Sequence, residues 1–267
     1  LWYDAGSSDH KADVADGKRR TGYAESKKSS GGSYKGNYKS SGKKGYGKAK
    51  KLYWFKGRML MYGAIIGDIV GSWFEFHNYK EKDFELFTYD CEFTDDTVMT
   101  IAIEKALMES GYKYWNLSKK ARDCLREFGR KYPNLSYGAN FKGWLLEDGR
   151  KSTNSYGNGA AMRISSIGWI ATDLKQVKRM SRIVTNVSHS HLEAIKGAEA
   201  IASCIYLSKT KHSKDEIRSY IENNYYAMNF TIQKIRKIYS YNVSCQGSVP
   251  QAIECFLEST DFEDALR

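Results

Sequence analysis

The sequence predicts an all-α fold: a compact single domain of many helices behind a disordered basic N-terminal tail. Three observations carry this reading. Helical apolar spacing, punctuated by capping residues, recurs from Tyr62 to the C-terminus. Nowhere between these helices does a stretch alternate apolar and polar residues as a half-buried strand does. Composition also changes abruptly near residue 58.

That change localises the charge. Residues 1–58 carry 15 Lys/Arg against 5 Asp/Glu, and the remainder carries 27 against 26, so +10 of the formal +11 belongs to the tail. Ser26 to Lys51 has almost no aliphatic side chains and repeats Tyr-Lys and Gly-Tyr units (Tyr34-Lys35, Tyr38-Lys39, Gly45-Tyr46). Such a segment buries too little apolar surface to offset its ordering entropy, so disorder is expected. Interleaved Lys and Tyr suit a nucleic-acid backbone and stacked bases. The competing reading, a solvated tail or sequence foreign to the native protein, is preferred, and nucleic acid is not the expected partner. Leu1 stands where a Met would begin a chain, and Met59 and Met61 just precede the first patterned segment. The predicted organisation is a tail, 1–58, and a helical domain, 59–267.

Several function classes are disfavoured. The five cysteines, Cys91, Cys124, Cys204, Cys245 and Cys255, include no C-x-x-C pair, which leaves neither a zinc ribbon nor a disulfide framework. No apolar run approaches the roughly 18 residues of a membrane span, and the N-terminus lacks the apolar core of a secretory signal. A cytoplasmic monomer with reduced thiols and no membrane partner is expected.

In chain order, Gly63, Gly67 and Gly71 recur at helical spacing and predict a buried central helix with a smooth face. Glu75 continues that face and is either a solvated helix end or a functional carboxylate. A polar, aromatic loop is expected over 77–92. Phe93-Thr-Asp-Asp-Thr97 then opens a helix over Val98–Leu107, with Thr94 as N-cap and Asp95 and Asp96 in the first turn. Two adjacent carboxylates need compensation, from the helix N-terminus or from a hard cation. Locally both readings stand. Ser118 is expected to cap Lys119–Phe128. The passage 137–161 is loop-rich, and its Gly157-Asn158-Gly159 turn suits positive φ and exposed backbone N–H groups before a helix near Ala160, either as a phosphate cradle or as a plain turn. Thr172 is expected to open Leu174–Val184. Ser188-His-Ser-His191 precedes Leu192–Leu207, its histidines read first as loop or cap donors and second as ligands. Capping boxes at Ser213–Glu216 and Thr260–Glu263, and Ser248-Val-Pro-Gln251, mark the last three helices.

Taken together, Gly-Ala-Ile-Ile-Gly-Asp-Ile-Val-Gly-Ser-Trp-Phe-Glu75, Phe-Thr-Asp-Asp-Thr-Val-Met-Thr100, Gly-Asn-Gly-Ala-Ala-Met-Arg163 and Ser-His-Ser-His191 resemble the ADP-ribosylglycohydrolase family over about residues 61–267. The resemblance implies an all-α hydrolase that removes ADP-ribose from modified protein side chains or related ADP-ribosyl compounds at a Mg²⁺ (or Mn²⁺) centre, usually of two ions. It assigns Thr94, Asp95, Asp96 and Glu75 to the metal, with Asp96 and Glu75 as the catalytic candidates. Gly157, Asn158, Gly159 and Ala160 fall in the diphosphate loop, His189 near the ADP-ribose, and Tyr137, Gly138 and Phe141 along the cleft.

One family element is missing. The family draws its second ligand set from a Gly-Gly-Asp-x-Asp-Thr motif near its C-terminus, and residues 1–267 do not contain it. The expectation is therefore a C-terminally shortened domain with half a metal site and little activity. The alternative reading is a structural, crystallin-like member without activity.

Overall fold

The structure, a computed structural model, describes residues 61–267. The predicted tail lies outside the described residues. Helix α1 (Tyr62–Ser72) runs into a 3-10 turn, Trp73–Glu75, and an irregular stretch follows to α2 (Asp95–Glu109). Then come α3 (Tyr114–Lys131), α4 (Ala139–Leu146), a second 3-10 turn at Asn158–Ala160, α5 (Ser165–Ile170), α6 (Leu174–Thr185), α7 (Leu192–Lys209), α8 (Lys214–Asn224), α9 (Ile232–Ile235), α10 (Cys245–Glu258) and α11 (Phe262–Leu266). Among the described residues there is no strand, only isolated bridges pairing Thr153 with His189 and Gly157 with Ser244. The fold is all-α, and the five cysteines are free, as expected.

Helix α7 is the shared wall of two cores. Its Ala198 and Ala202 pack with Val98, Leu107, Leu125, Trp144 and Val177. Its Ala194, Ala200, Cys204 and Leu207 pack with Ile217, Val249 and Ile253. Close crossings need small residues. A methyl group at Gly168 of α5 would lie 2.7 Å from the Ala202 carbonyl oxygen and 2.6 Å from Ile205 Cβ, and one at Gly197 of α7 would lie 2.8 Å from Cys245 Sγ.

The stripe on α1 behaves differently. Of its three glycines only Gly71 is buried; Gly63 is exposed and Gly67 half-buried. Methyl groups there would meet Phe262 and Leu266 of α11 at 3.5 and 3.8 Å, ordinary contact distances. The helix is marginal in the described fold, not central, and spacing alone could not show which glycines meet backbone.

Several boundaries also shifted because capping depends on what a side chain reaches. Thr94 and Ser213 cap as expected, accepting from the N–H of Asp96 and Glu216, and His191 caps α7 as an acceptor from the Glu193 N–H and not as the expected donor. At α6 the cap is Asp173, accepting from the Gln176 N–H at 2.7 Å, while Thr172 binds the Gln176 side chain. At α10 Ser244 caps, Ser248 lies inside and donates to the Ser244 carbonyl, and Pro250 is tolerated within the helix. At α11 Asp261 caps in place of Thr260. Ser118 lies inside α3, which begins a turn earlier.

Gly168→Ala should therefore lower stability by about 1–3 kcal/mol, because the added methyl meets backbone. Gly67→Ala should be neutral or raise stability by up to about 1 kcal/mol through helix propensity. Thermal unfolding of both variants checks the contrast, and equal losses would refute it.

Candidate active site

The organising side chain is one that motif reading passed over, Asp68. It sits on α1 and is only 6% exposed. Its Oδ2 accepts from the backbone N–H of Thr94 at 2.8 Å and of Thr97 at 3.1 Å, and its Oδ1 accepts from Thr94 Oγ1 at 2.6 Å. Thr94 Oγ1 in turn accepts from the Asp96 N–H at 3.2 Å. Two orphan donors of the first turn of α2 are thus satisfied, and a carboxyl group accepts at its positive end. One turn on, Ser72 Oγ accepts from the Glu92 N–H at 3.0 Å and ties down the incoming loop. The available signal was a carboxylate in the middle of an apolar helix, a residue type almost never buried unpaired.

This clamp brings four acids together. Asp95 and Asp96 are 5% and 6% exposed, and Glu75, at the end of the 3-10 turn, is half-buried. Burial pushes the Asp95 carboxyl up to about 7, and the charges of Glu75 and Asp68 add to the rise. Burial raises Asp96 well above the usual carboxylate range, with Asp95, Asp68 and Glu75 contributing. Glu75 is raised by burial and then by Asp68. The charges of Asp68 and Glu75 thus reach both Asp95 and Asp96, as expected of carboxylates crowded in low dielectric.

The donor chemistry suits a hard cation: the Asp95 Oδ1 atom is buried without a hydrogen-bond partner, and every donor in the cluster is oxygen. Among the described residues, however, no group of three or more His, Cys, Asp or Glu side chains is drawn together tightly enough to be an ion cage already. The cluster fits a cation in chemistry and is not preassembled around one.

The expected cleft residues form a continuous wall beside these acids. Tyr137 is buried, and its hydroxyl is raised by burial and by the charge of Asp95, which puts the ring next to the acid cluster. Tyr137 meets Phe141 at 5.9 Å between ring centroids, Phe141 stacks on Trp144 at 5.5 Å, and Phe141 meets His189 at 5.6 Å. Gly138 provides the N-cap position of α4 and so sets the start of the helix that carries Phe141. A methyl group at Gly159 would lie 3.5 Å from His189 Nε2.

The glycine turn differs in backbone from expectation. Gly157 has φ −61°, and the positive-φ glycines of the described chain are Gly111 and Gly149. The Gly157 N–H donates to Ser155 Oγ, and the Asn158 N–H to the Val243 carbonyl at 2.8 Å. Asn158 is fully buried, and its Nδ2 reaches the Asn242 carbonyl and Ser248 Oγ, both at 3.2 Å. Ala160, also fully buried, packs in the second core, and the α-helix starts at Ser165 and not near Ala160. Docking of the turn onto residues 242–248 uses the backbone and side-chain N–H groups of Asn158, a long-range contact with no local signal.

Residues 55–267 match the sequence model of the family described as ADP-ribosylglycohydrolase. The chain belongs to the ADP-ribosylglycohydrolase family. Its curated relatives include ADP-ribosylhydrolase ARH3 of Homo sapiens, 28% identical over 206 residues that cover 64% of this chain and 54% of the relative. ARH3 of Mus musculus is 26% identical over 215 residues, 65% of this chain and 55% of the relative. An uncharacterized protein of Archaeoglobus fulgidus is 27% identical over 201 residues, 66% and 64% respectively. The chain spans about half the length of the ARH3 relatives it matches. Among the described residues no helix is long and apolar enough to cross a membrane.

The elevated Asp95 carboxyl has a signed consequence. Its folded value, about 7, lies above its ordinary 3.8. Its contribution to stability is therefore fully present below about pH 4 and is lost as pH rises through about 7. In metal-free protein, Asp95→Asn should match wild type near pH 4 and exceed it at neutral pH by up to a few kcal/mol. Asp68→Ala should be destabilised by about 1–3 kcal/mol, since it strips buried donors of their acceptor. Chemical denaturation across pH measures both; a pH-independent gap for Asp95→Asn would contradict the first.

Proposed function

We propose that this family member acts on ADP-ribosyl groups, hydrolysing the glycosidic bond that joins ADP-ribose to a protein side chain or to a related small molecule. The observation that carries the reading is the acid cluster at the start of α2, held against an aromatic wall and a glycine turn in a chain of this family. In this reading Thr94, Asp95, Asp96 and Glu75 would hold Mg²⁺ or Mn²⁺. When bound, such an ion supplies Lewis acidity for the ribose hydroxyls and lowers the pKa of a water.

The remaining steps belong to the protein's own groups. Cleavage at the ribose C1″ passes through an oxocarbenium-like state and needs a base to take the proton of the attacking water. Asp96 and Glu75 are the candidates, both raised toward the operating pH, where a general base is most effective. Glu75 is the better suited, because it is half-buried where Asp96 is nearly sealed. Tyr137 and Phe141 present apolar surface that excludes water from the ring being opened to attack. The Gly157–Ala160 turn and His189 would anchor the diphosphate at a distance, using binding energy for orientation.

Calorimetry with ADP-ribose and Mg²⁺, Mn²⁺ binding by electron paramagnetic resonance, and release of ADP-ribose from serine- and arginine-linked peptides test the reading. Asp95→Asn and Asp96→Asn are expected to abolish Mn²⁺ binding. Glu75→Gln should spare ADP-ribose binding within a few-fold and slow release by about 10²–10⁴-fold, the span of a lost general base. Failure to bind ADP-ribose with or without the metal would overturn it.

A further inference from the structure

Arg163 is fully buried, and among the described residues it forms no ion pair with a carboxylate. Its Nε and Nη1 are buried without partners, its guanidinium lies 5.3 Å from the Phe141 ring centroid, and its Nη2 donates to Ser188 Oγ at 2.6 Å. Ser188 Oγ is also 2.9 Å from His189 Nδ1. The serine is held rigidly for this contact. Its N–H donates to the Thr185 carbonyl at 3.1 Å, and its carbonyl accepts from the N–H and the hydroxyl of Thr153, each at 2.9 Å.

The direction of the relay follows from donor inventory. A guanidinium can only donate. Ser188 Oγ must then be the acceptor toward Arg163, and its own hydrogen needs another acceptor. His189 Nδ1 stands in reach. The reverse arrangement, with Nδ1–H donating to the serine, leaves a buried hydroxyl hydrogen with nowhere to go, which native interiors avoid. If Nδ1 accepts, a neutral ring carries its hydrogen on Nε2, the atom that faces the side-chain-free Gly159 position.

We propose that Arg163 and Ser188 are positioning residues that lock His189 as a neutral imidazole with its hydrogen on Nε2, offered at the Gly159 turn as a donor to an oxygen of the bound ADP-ribosyl group. Burial and the facing charge of Arg163 both disfavour a second proton on the ring, in keeping with this state. The ligand half of the proposal rests on the ADP-ribosyl reading above. The tautomer half is a property of the free protein and stands apart from it.

Long-range ¹H–¹⁵N correlation on the ¹⁵N-labelled full chain tests it, with His189 assigned by loss of its signals in His189→Gln. Wild type should show a protonated-type Nε2 and an unprotonated-type Nδ1. In Ser188→Ala both nitrogens should move toward intermediate shifts as the tautomers exchange, and ADP-ribose should bind about 3- to 10-fold more weakly. A wild-type ring protonated on Nδ1 or on both nitrogens, or an unchanged pattern in Ser188→Ala, overturns the proposal. The expected tautomer in a wild-type protein that does not bind ADP-ribose would count against the ligand reading alone and uphold the lock.

Discussion

Everything distinctive about this fold's chemistry hangs on one carboxylate, Asp68, accepting from Thr94 and Thr97 across two helices. A helix N-terminus leaves its first N–H groups unsatisfied, and an Asp from another helix is a strong way to fill them. The consequence is geometric. Asp95 and Asp96 stand on a first turn that cannot fray, because its cap residue is held at both its backbone and its hydroxyl. Burial first, and the neighbouring acids second, raise the proton affinity of Asp95 and Asp96.

The opposite pole is a buried cation. Arg163 lies against the Phe141 ring, with a serine and, among the described residues, no carboxylate as its hydrogen-bond partner. Between the poles run Tyr137, Phe141 and His189 in successive ring contact. Acids at one end suit a cation, and a guanidinium with a neutral imidazole at the other suits an anion. The proposed ADP-ribosyl ligand, with its diphosphate and ribose, would match that polarity.

Much of this was readable from residue order, and the failures share a cause. Thr94 as N-cap and the capping box at Ser213 are local: donor and acceptor lie within one turn, so sequence contains both partners. His191 as a cap is the same case. Asp68 and Arg163 lie inside the family-like motifs, but their roles are not legible there, because their partners lie on other elements and burial is invisible in a string. The glycines tell the same story. Gly63 and Gly67 have the conspicuous spacing but meet only side chains at ordinary distance, while the inconspicuous Gly168 and Gly197 meet backbone or a buried cysteine.

Sequence by itself determined the all-α class, the confinement of excess charge to residues 1–58, most helix positions, the family, and the identity of the acids at Thr94–Asp96. These depend on periodicity, capping and composition, which act over a few residues. Tertiary structure alone decided that Asp68 holds the acid turn, that Asn158 docks the glycine turn onto residues 242–248, and that Arg163, Ser188 and His189 lie in successive hydrogen-bond contact. Each of those is a contact between elements, and its energy comes from desolvated groups whose proximity only the packed chain creates.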